Sequence, residues 1–409
     1  METAGIVHDA VLWKPVGGGR VECDLCWRKC VIPEGERGYC YVRFNRGGKL
    51  YTENYGVVTA LNVDPIEKKP FYHFLPGSTS LSISTVSCNF RCKFCQNWEL
   101  SYFKELRGLE ISPEEIANAA VREGCESVSY TYNEPTIFVE YAIDTAKEGK
   151  KRGLKNTFVT NGYMTPEAVD YVKGYVDAMT VGIKGSLNRD FYRKMMAVPD
   201  ADVIKQTLLA IKEAGIHLEI TDLLVTKYGD DLSSLSTFAR WVVENLGEDV
   251  PFHVLRFFPD AQLRDVPPTS VALLEEAREV AKGEGLNYVY VGNVPGEDQN
   301  TYCPKCGNLL IRREGFSAEV VGLTADGRCS KCGTKIPVLL QRCHQHPRIS
   351  LSFALSLSFS GLPRRRSVLG TTDLPLLSFF FLPLSFDRFV SFSSLLISRS
   401  ITLNFLFTY

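Results

Sequence analysis

Residues 87–95 read Ser87-Cys88-Asn89-Phe90-Arg91-Cys92-Lys93-Phe94-Cys95, with three cysteines at a C-x3-C-x2-C spacing. They directly follow residues 81–86, Leu-Ser-Ile-Ser-Thr-Val, whose alternating apolar positions predict a strand. Thiolates select zinc or iron–sulfur clusters, and three thiolates on a four-iron cluster leave one iron without a protein ligand. An open iron can bind a small molecule, as an open zinc position does. A three-thiolate zinc site, or reduced cysteines with no ligand role, is the alternative that the spacing leaves open.

From residue 80 to about residue 293, short apolar runs alternate with amphipathic stretches. The predicted strands are 81–86, 127–131, 156–160, 178–183, 217–225, 252–257 and 288–291. The predicted helices are 113–123, 137–150, 166–174, 202–214, 231–246 and 270–282. Ser112 and Glu115 have the spacing of a capping box at the start of the first helix, with Pro113 in its first turn. This alternation predicts an α/β fold, a partial (β/α)6 TIM-like barrel whose site lies at the carboxyl ends of the strands.

A second cysteine group lies near the N-terminus. It reads Cys23-x2-Cys26-x3-Cys30-x9-Cys40, in a stretch interrupted by glycine and proline. Four cysteines with little regular periodicity around them predict a small module held together by metal. Zinc and a second iron–sulfur cluster fit the spacing equally, and reduced cysteines without a ligand role remain the alternative.

The third group is a pair of C-x2-C-Gly knuckles separated by about twenty residues. The knuckles are Cys303-x2-Cys306 and Cys329-x2-Cys332, and each is followed by glycine. This arrangement predicts a zinc ribbon, and four protein ligands favour a structural zinc over a catalytic one. An adaptor for nucleic acid or protein is the competing function for such a ribbon. Basic residues surround it, but acidic residues are interspersed among them, which weakens that interpretation.

Charge and composition exclude several classes of protein. The chain has 409 residues, is 45% apolar and 23% charged, and carries a net charge of −1. Its isoelectric point of about 6.6 gives no electrostatic case for binding nucleic acid or an anionic membrane. Residues 1–10 lack the apolar core of a signal peptide. Most of the thirteen cysteines have metal-ligand spacing, so we expect a reducing, cytoplasmic location.

The composition changes after about residue 337. Residues 349–409 consist almost entirely of Ser, Leu, Phe, Arg, Thr and Pro, with poor helical or strand periodicity. We predict that residues 339–409 are a tail outside the folded protein, disordered or non-native, and assign no role to Cys343, His344 and His346. A membrane-associating tail is the alternative, although no apolar run reaches the ~18 residues of a membrane helix.

The three-cysteine loop resembles the motif of the radical SAM superfamily, C-x3-C-x-aromatic-C, with Phe94 in the aromatic position. The resemblance implies that Cys88, Cys92 and Cys95 bind a catalytic [4Fe–4S] cluster, with Phe94 next to the cofactor. It implies that S-adenosylmethionine (SAM) chelates the fourth iron through its amino and carboxylate groups. One electron, supplied by a donor such as ferredoxin or flavodoxin, would cleave SAM to a 5′-deoxyadenosyl radical that abstracts hydrogen from a substrate.

Other loops at the same predicted face resemble the superfamily's SAM contacts. Tyr132, Asn133 and Glu134 follow the second strand and resemble the Gly-Gly-Glu-Pro segment that holds the SAM ammonium. The resemblance makes Asn133 and Glu134 acceptors for that ammonium. Thr160 and Asn161 follow the third strand, where relatives contact the ribose and the sulfonium. Taken singly, each segment is also an ordinary polar turn.

The fourth strand ends in Gly182-Ile183-Lys184, where activating-enzyme relatives have Asp-x-Lys. The resemblance makes Lys184 a catalytic and SAM-binding residue, but Gly182 lacks the carboxylate that helps those relatives bind a monovalent cation. We expect that cation site to be weak or absent. The alternative is that Asp222 or Glu219 supplies the missing charge. Phe258, where many relatives place a histidine, is expected to pack rather than to stack on adenine.

The order of these motifs resembles the radical SAM member of the AmmeMemoRadiSam system, a relative of pyruvate formate-lyase activating enzymes. That resemblance covers about residues 8–338 and implies AMMECR1-like and Memo-like partners without fixing a substrate. The predicted division is a metal-binding module at 1–74, the barrel at 75–300, the ribbon at 301–338 and the tail at 339–409. Two alternatives remain: activation of a glycyl-radical enzyme, and an iron–sulfur electron-transfer protein or zinc-ribbon adaptor without SAM chemistry.

Overall fold

The computed structural model describes residues 6–102, 104–296 and 299–341. Residues 342–409, with Cys343, His344 and His346, lie outside the described residues, as does most of the predicted tail. Within the described ranges, no helix is long and apolar enough to cross a membrane.

The N-terminal part consists of short strands. They are β1 (Ile6–Asp9), β2 (Trp13–Pro15), β3 (Val21–Cys23), β4 (Val31–Ile32), β5 (Arg43–Arg46), β6 (Lys49–Tyr55) and β7 (Val57–Val58). They form two antiparallel sheets, in the orders β2-β3-β4 and β1-β6-β5, while β7 pairs with a later strand. The β5–β6 hairpin turns at Gly47 and Gly48, which both have positive φ, as a two-residue hairpin loop requires. The Glu34 carboxylate accepts hydrogen bonds from both glycine N–H groups and fixes this turn.

The barrel follows. Its elements are β8 (Ala60–Pro65), β9 (Thr79–Ser84), α1 (Trp98–Ser101), β10 (Leu109–Glu110), α2 (Pro113–Arg122), β11 (Ser127–Tyr130), α3 (Val139–Lys151), β12 (Lys155–Thr160), α4 (Pro166–Val172), β13 (Ala178–Lys184), α5 (Arg189–Met196), α6 (Val203–Glu213), β14 (His217–Leu224), α7 (Leu232–Leu246), β15 (Phe252–Arg256), α8 (Val271–Gly283) and β16 (Val289–Gly292).

The main sheet has the strand order β16-β15-β14-β13-β12-β11-β9-β8. All neighbouring pairs from β9 to β16 are parallel, whereas β8 is antiparallel to β9. In the described part of the chain the end strands β8 and β16 do not pair with each other, so the barrel is open. Six strand–helix units from β9 to α8, followed by β16, confirm the predicted partial (β/α)6 barrel.

Strand β8 lies before residue 75, where we predicted the barrel to begin. It pairs with the whole of β9, from Ala60 opposite Ser84 to Pro65 opposite Thr79. Leu61 and Val63 on this strand are exposed, and Asp64 is buried, so the usual apolar alternation is reversed. The sheet therefore extends into the segment that the sequence assigned to the N-terminal module, with an antiparallel edge strand as in many mixed sheets.

The two faces of the parallel strands differ in polarity. The Ser129 hydroxyl lies 2.6 Å from the Ser80 hydroxyl and 2.7 Å from that of Thr157, so these three side chains share the inner face. Leu81 and Val128 alternate with them and pack on the opposite face, within the main hydrophobic core. The interior of the barrel, the lumen, is therefore lined by hydroxyl groups rather than by branched aliphatic residues.

The structure shows the predicted capping box and a second helix cap. The Ser112 hydroxyl accepts a hydrogen bond from Glu115 N–H, and the Glu115 carboxylate accepts from Ser112 N–H, so the capping box is complete. Thr165 caps α4 by accepting from Ala168 N–H. These caps fix the starts of two helices on the outer layer of the barrel.

The C-terminal strands β17 (Thr301–Tyr302), β18 (Leu309–Glu314) and β19 (Ser317–Val320) form a small antiparallel sheet. A hydrophobic cluster joins this ribbon to Tyr72, Tyr288 and Tyr290 of the barrel. The start of the predicted tail needs correction, because Leu339 accepts from Leu75 N–H and donates to His73 O, both at 2.8 Å. Residues 339–341 therefore belong to the folded region.

Candidate active site

The three-cysteine loop leaves the carboxyl end of β9 and is held by backbone hydrogen bonds on both sides. The loop begins at Ser87, whose φ of 73° is a left-handed conformation. The Ser87 hydroxyl donates a hydrogen bond to Cys40 O at 2.7 Å. Further along, Arg91 N–H donates to Met196 O and Lys93 N–H donates to Met195 O. The end of α5 thus fixes the second half of the loop, so the cysteines are presented by a braced segment.

The three thiols of this loop are partly buried. Burial raises the pKa of Cys88 to about 12, with a further contribution from the Glu134 carboxylate. Burial also raises the pKa of Cys92, and neighbouring Cys95 and Cys88 raise it further. Among the described residues, three or more metal-ligating atoms come within 4.8 Å of one another only in the ribbon. At least one pair of these sulfurs is therefore more widely spaced than ligands of one zinc ion, which lie ~3.8 Å apart at Zn–S ~2.3 Å.

Lys184 is the last residue of β13, and its ammonium lies over the backbone of Gly182. A Cβ added to Gly182 would approach Lys184 Nζ to 2.9 Å and Thr221 Oγ1 to 3.7 Å. Burial lowers the pKa of Lys184, while Cys92 and Asp222 oppose that shift. No hydrogen bond or ion pair reaches Nζ from the part of the chain that the structure describes. The residue thus presents a cation beside two of the cysteines, with hydrogen-bonding capacity to spare.

The two acids considered as replacements for the missing aspartate lie in different surroundings. Asp222 is buried near Lys184, but its carboxylate accepts from Ser186 N–H at 3.0 Å and from the Ser186 hydroxyl at 2.6 Å. Glu219 lies three residues earlier on β14 and accepts from His73 N–H and other donors at the amino end of the barrel. Of the two, Asp222 is the one whose charge acts on Lys184.

Glu134 ties the loop after β11 to the loop after β12. It is 1% exposed and accepts from Thr136 N–H, from the Thr160 hydroxyl at 2.7 Å and from Asn161 N–H at 2.8 Å. Asn133, its neighbour, donates to Ser87 O at 3.0 Å and so contacts the three-cysteine loop. The Asn133 side-chain oxygen is buried and accepts no hydrogen bond from any described residue. Its acceptor capacity is therefore unused, whereas the Glu134 carboxylate oxygens already have protein donors.

Asn161 joins the β12 loop to the three-cysteine loop. Its Nδ2 donates to Asn89 Oδ1 at 2.7 Å and lies 3.8 Å from Cys88 Sγ. The hydroxyl of neighbouring Thr160 donates to the Glu134 carboxylate. Asn89 was missed by sequence reasoning; the available signal was an amide directly after the first cysteine of the motif, where only the spacing was used.

The predicted aromatic residues have packing partners. The Tyr132 hydroxyl donates to Asp64 on β8 and accepts from Asn62 Nδ2, so it faces the strand that the sequence did not predict. Phe94 stacks on Phe191 with ring centroids 5.6 Å apart. The expected packing of Phe258 agrees with an Arg256 guanidinium 5.1 Å above its ring.

The two four-cysteine groups are placed differently. In the ribbon, Cys303 and Cys332 have sulfurs 3.6 Å apart, and Cys306 and Cys329 have sulfurs 3.7 Å apart. All four sulfurs lie within 4.8 Å of one another, which matches tetrahedral zinc. The N-terminal group, Cys23, Cys26, Cys30 and Cys40, instead surrounds a cavity.

Comparison with known proteins identifies relatives of the barrel. Residues 82–242 match the model of the Radical SAM superfamily. An uncharacterised protein of Methanocaldococcus jannaschii is 44% identical over 338 residues, which are 82% of this chain and 100% of that protein. A putative glycyl-radical enzyme activating enzyme of the same organism is 22% identical over 218 residues, 51% of this chain and 86% of that protein.

Among solved structures, a radical SAM methyltransferase from Sphaerobacter thermophilus is similar with a TM-score of 0.43. Its sequence identity to this chain is 16%, and the match covers 54% of this chain and 68% of that protein.

Proposed function

We propose, from the premise that the chain belongs to the radical SAM superfamily and is a radical SAM enzyme, that Cys88, Cys92 and Cys95 hold a [4Fe–4S] cluster. The fourth iron would bind SAM through its amino and carboxylate groups. The observation that carries this proposal is one loop, fixed by backbone hydrogen bonds, that presents three partly buried thiols. Their sulfurs do not all lie within 4.8 Å of one another, which is too wide for a single metal ion. Lys184 lies beside them, and its ammonium has no hydrogen-bond partner among the described residues. That donor set fits a four-iron cluster with one open position.

When bound, the cluster supplies the electron that cleaves SAM to the 5′-deoxyadenosyl radical. The side chains of the chain orient and protect this chemistry. The Lys184 ammonium would pair with the SAM carboxylate as a point charge. The Asn133 side-chain oxygen would accept from the SAM ammonium, and Asn161 would donate toward the Cys88 sulfur. Glu134 would act as a positioning residue, since its carboxylate holds Thr160 and the Asn161 backbone in place.

The lumen supports a polar substrate. The Ser82, Ser84 and Thr180 hydroxyls are buried and lack a hydrogen-bond partner among the described residues. Ser82 and Ser84 share the inner face of β9 with Ser80, directly below the three-cysteine loop. Buried unpaired hydroxyls are costly unless a ligand satisfies them, so we propose hydrogen abstraction from a molecule rich in hydrogen-bonding groups.

Activation of a glycyl-radical enzyme is the second candidate, supported by the similarity over 218 residues to a putative activating enzyme. Membership of the AmmeMemoRadiSam system, with AMMECR1-like and Memo-like partners, is supported by the N-terminal cysteine string. We also propose a structural zinc at the four ribbon cysteines, on the strength of their sulfur spacing.

The proposal is tested by anaerobic reconstitution of the full chain with iron and sulfide, followed by reduction and addition of SAM. We expect 5′-deoxyadenosine to form, and the electron paramagnetic resonance (EPR) signal of the reduced cluster to change when SAM binds. Deuterated candidate substrates then separate the two functions, because the label enters 5′-deoxyadenosine from a small polar molecule in one case and from a protein glycine in the other. Absence of SAM cleavage and of any spectral response to SAM would refute the proposal.

A further inference from the structure

The four N-terminal cysteines surround one cavity. Cys23, Cys26, Cys30 and Cys40 all line it, together with apolar side chains such as Leu25 and Ile32. The loops between β3 and β5 therefore arrange all four thiols around a common volume, although seventeen positions of chain separate the first from the last.

The spacing of these thiols differs from that in the ribbon. The ribbon sulfurs approach to 3.6 Å and 3.7 Å in pairs, as ligands of one tetrahedral ion do. In the described ranges, no three of the N-terminal thiols have sulfurs that all lie within 4.8 Å of one another. A cubane cluster requires this wider arrangement, because each thiolate binds a different iron. The same structure thus contains one four-cysteine site with zinc spacing and one with wider spacing.

Two buried donors line the same cavity without a partner. Arg43 is 1% exposed, and its guanidinium pairs with Glu140 and donates to Val11 O, but its Nε has no acceptor among the described residues. Asn89 is fully buried, and its Nδ2 likewise has no acceptor in the described part of the chain. Unpaired buried N–H groups are costly. Hydrogen bonds to cluster sulfurs would satisfy them, and such bonds are a common feature of iron–sulfur sites.

The cavity also adjoins the three-cysteine loop. Asn89 belongs to that loop and lines the cavity, and Arg28, another lining residue, donates to Asn89 O at 3.0 Å. Ser87 donates to the carbonyl of Cys40. The two cysteine groups therefore share a wall, and Asn89 stands in that wall with Oδ1 bonded to Asn161 and Nδ2 unpaired.

We propose that Cys23, Cys26, Cys30 and Cys40 bind a second [4Fe–4S] cluster, with one thiolate on each iron. Four protein ligands leave no open iron, so this cluster does not bind SAM. Arg43 Nε and Asn89 Nδ2 donate hydrogen bonds to its sulfurs. The site is an electron-storing centre next to the three-cysteine loop, and zinc occupies only the ribbon.

The test uses the full-length chain, reconstituted anaerobically with iron and sulfide. Iron, acid-labile sulfide and zinc are counted per chain, and EPR spectra are recorded after reduction. The wild type should hold about eight irons in two four-iron clusters. The Cys88→Ala/Cys92→Ala/Cys95→Ala variant and the Cys23→Ala/Cys26→Ala variant should each keep about four. Cys125→Ala is the matched control, a buried cysteine outside all three groups, and should keep the full amount.

The triple variant decides the question even if the N-terminal variant does not fold. About four irons with an EPR signal that SAM leaves unchanged would support the second cluster. No iron in that variant, or two zinc ions per chain with about four irons in the wild type, would overturn it. The proposed function is judged separately, because wild-type protein that cannot cleave SAM would refute that function while the iron of the triple variant remained.

Discussion

A buried carboxylate at the amino end of the barrel has several hydrogen-bond partners, whereas several buried polar groups at the carboxyl end have none among the described residues. At the amino end, Glu219 accepts from Tyr72 N–H, from His73 N–H and from His253 Nε2 at 2.8–3.0 Å, and every one of these partners is buried. At the carboxyl end, the Lys184 ammonium and the Asn133 side-chain oxygen have no hydrogen-bond partner in the described ranges. Charge and burial are common to both ends, so neither identifies the site.

The two ends differ in whether these buried polar groups have hydrogen-bond partners. A buried carboxylate whose oxygens have several donors stabilises the fold and has little capacity left for a ligand. Glu219 fits that description and closes the barrel against the ribbon, since His73 continues the network to the Tyr290 hydroxyl at 2.7 Å. Unpaired groups beside the three-cysteine loop remain available for a ligand, and four predictions test this contrast.

The largest expected effect is loss of SAM cleavage in Cys92→Ala. This cysteine lies between the other two in the loop, and losing one of three thiolates should destroy a cluster site. We expect 5′-deoxyadenosine formation to fall to background, beyond the 10–100-fold typical of outer-shell substitutions. Cys125→Ala should match the wild type, because Cys125 lies outside all three cysteine groups. Cleavage at the parent rate by Cys92→Ala would refute the assignment of this loop.

Sequence reasoning predicted the barrel because short apolar runs alternate with amphipathic stretches, the first of which begins with a capping box. It did not predict β8, since this edge strand exposes Leu61 and Val63 and buries Asp64. Periodicity arguments assume apolar residues inside, and the lumen of this barrel is polar.

The three cysteines were predicted from their spacing along the chain, and Lys184 from the resemblance of residues 182–184 to the Asp-x-Lys segment of activating enzymes. Neither could give the partners of the site, because they depend on contacts between distant loops. Asn161 forms a hydrogen bond with Asn89, 72 positions away in the sequence. Asn133 Oδ1 is unpaired because no described residue donates to it, and this depends on the tertiary fold. The distances between the N-terminal thiols also could not be predicted, because four cysteines in irregular loops can bind either one zinc ion or an iron–sulfur cluster.

The second prediction concerns Lys184. If its ammonium pairs with the SAM carboxylate, Lys184→Ala should lower kcat/KM for SAM cleavage by about 1.5–3 kcal/mol, roughly 10–150-fold. Gly182→Ala should have a smaller effect in the same direction, because the new Cβ would lie 2.9 Å from Nζ and displace the ammonium. Lys184→Arg should recover part of the rate, as it keeps the charge.

The same assay addresses the missing aspartate. Because Asp222 is held by Ser186, we expect little dependence of the rate on sodium or potassium in cation-exchanged buffer. A strong requirement for one monovalent ion, together with a nearly neutral Lys184→Ala, would show that a cation site survives here and that the interpretation of Gly182 is wrong.

The third prediction moves to the amino end and compares two truncations. Ending the chain after Gln341 should leave stability and SAM cleavage unchanged. Ending it after Pro337 removes the two backbone hydrogen bonds of Leu339, with His73 and Leu75, and should lower the free energy of unfolding by about 2 kcal/mol. Urea titration of both proteins measures the difference. Equal free energies of unfolding would show that the packing at the amino end of the barrel does not depend on residues 338–341.

The smallest expected effect is a pH dependence of stability that originates at His73. The imidazole donates from Nδ1 to Pro337 O and accepts at Nε2 from the Tyr290 hydroxyl, an arrangement that requires the neutral ring. Burial lowers the pKa of His73 to about 3, with Arg313 also opposing protonation and Glu219 favouring it. The unfolded chain binds this proton near pH 6.5, so stability is complete above that pH and falls as the pH drops toward 3. Between pH 7.5 and 5.5 the loss should be about 1.4 kcal/mol. Glu219 does not contribute in this window, because its depressed pKa matters only below about pH 4.5.

The control variant is His73→Gln, which keeps a donor and an acceptor but cannot titrate, so its unfolding free energy should change less over the same pH range. An unchanged slope in that variant would place the pH dependence elsewhere in the molecule.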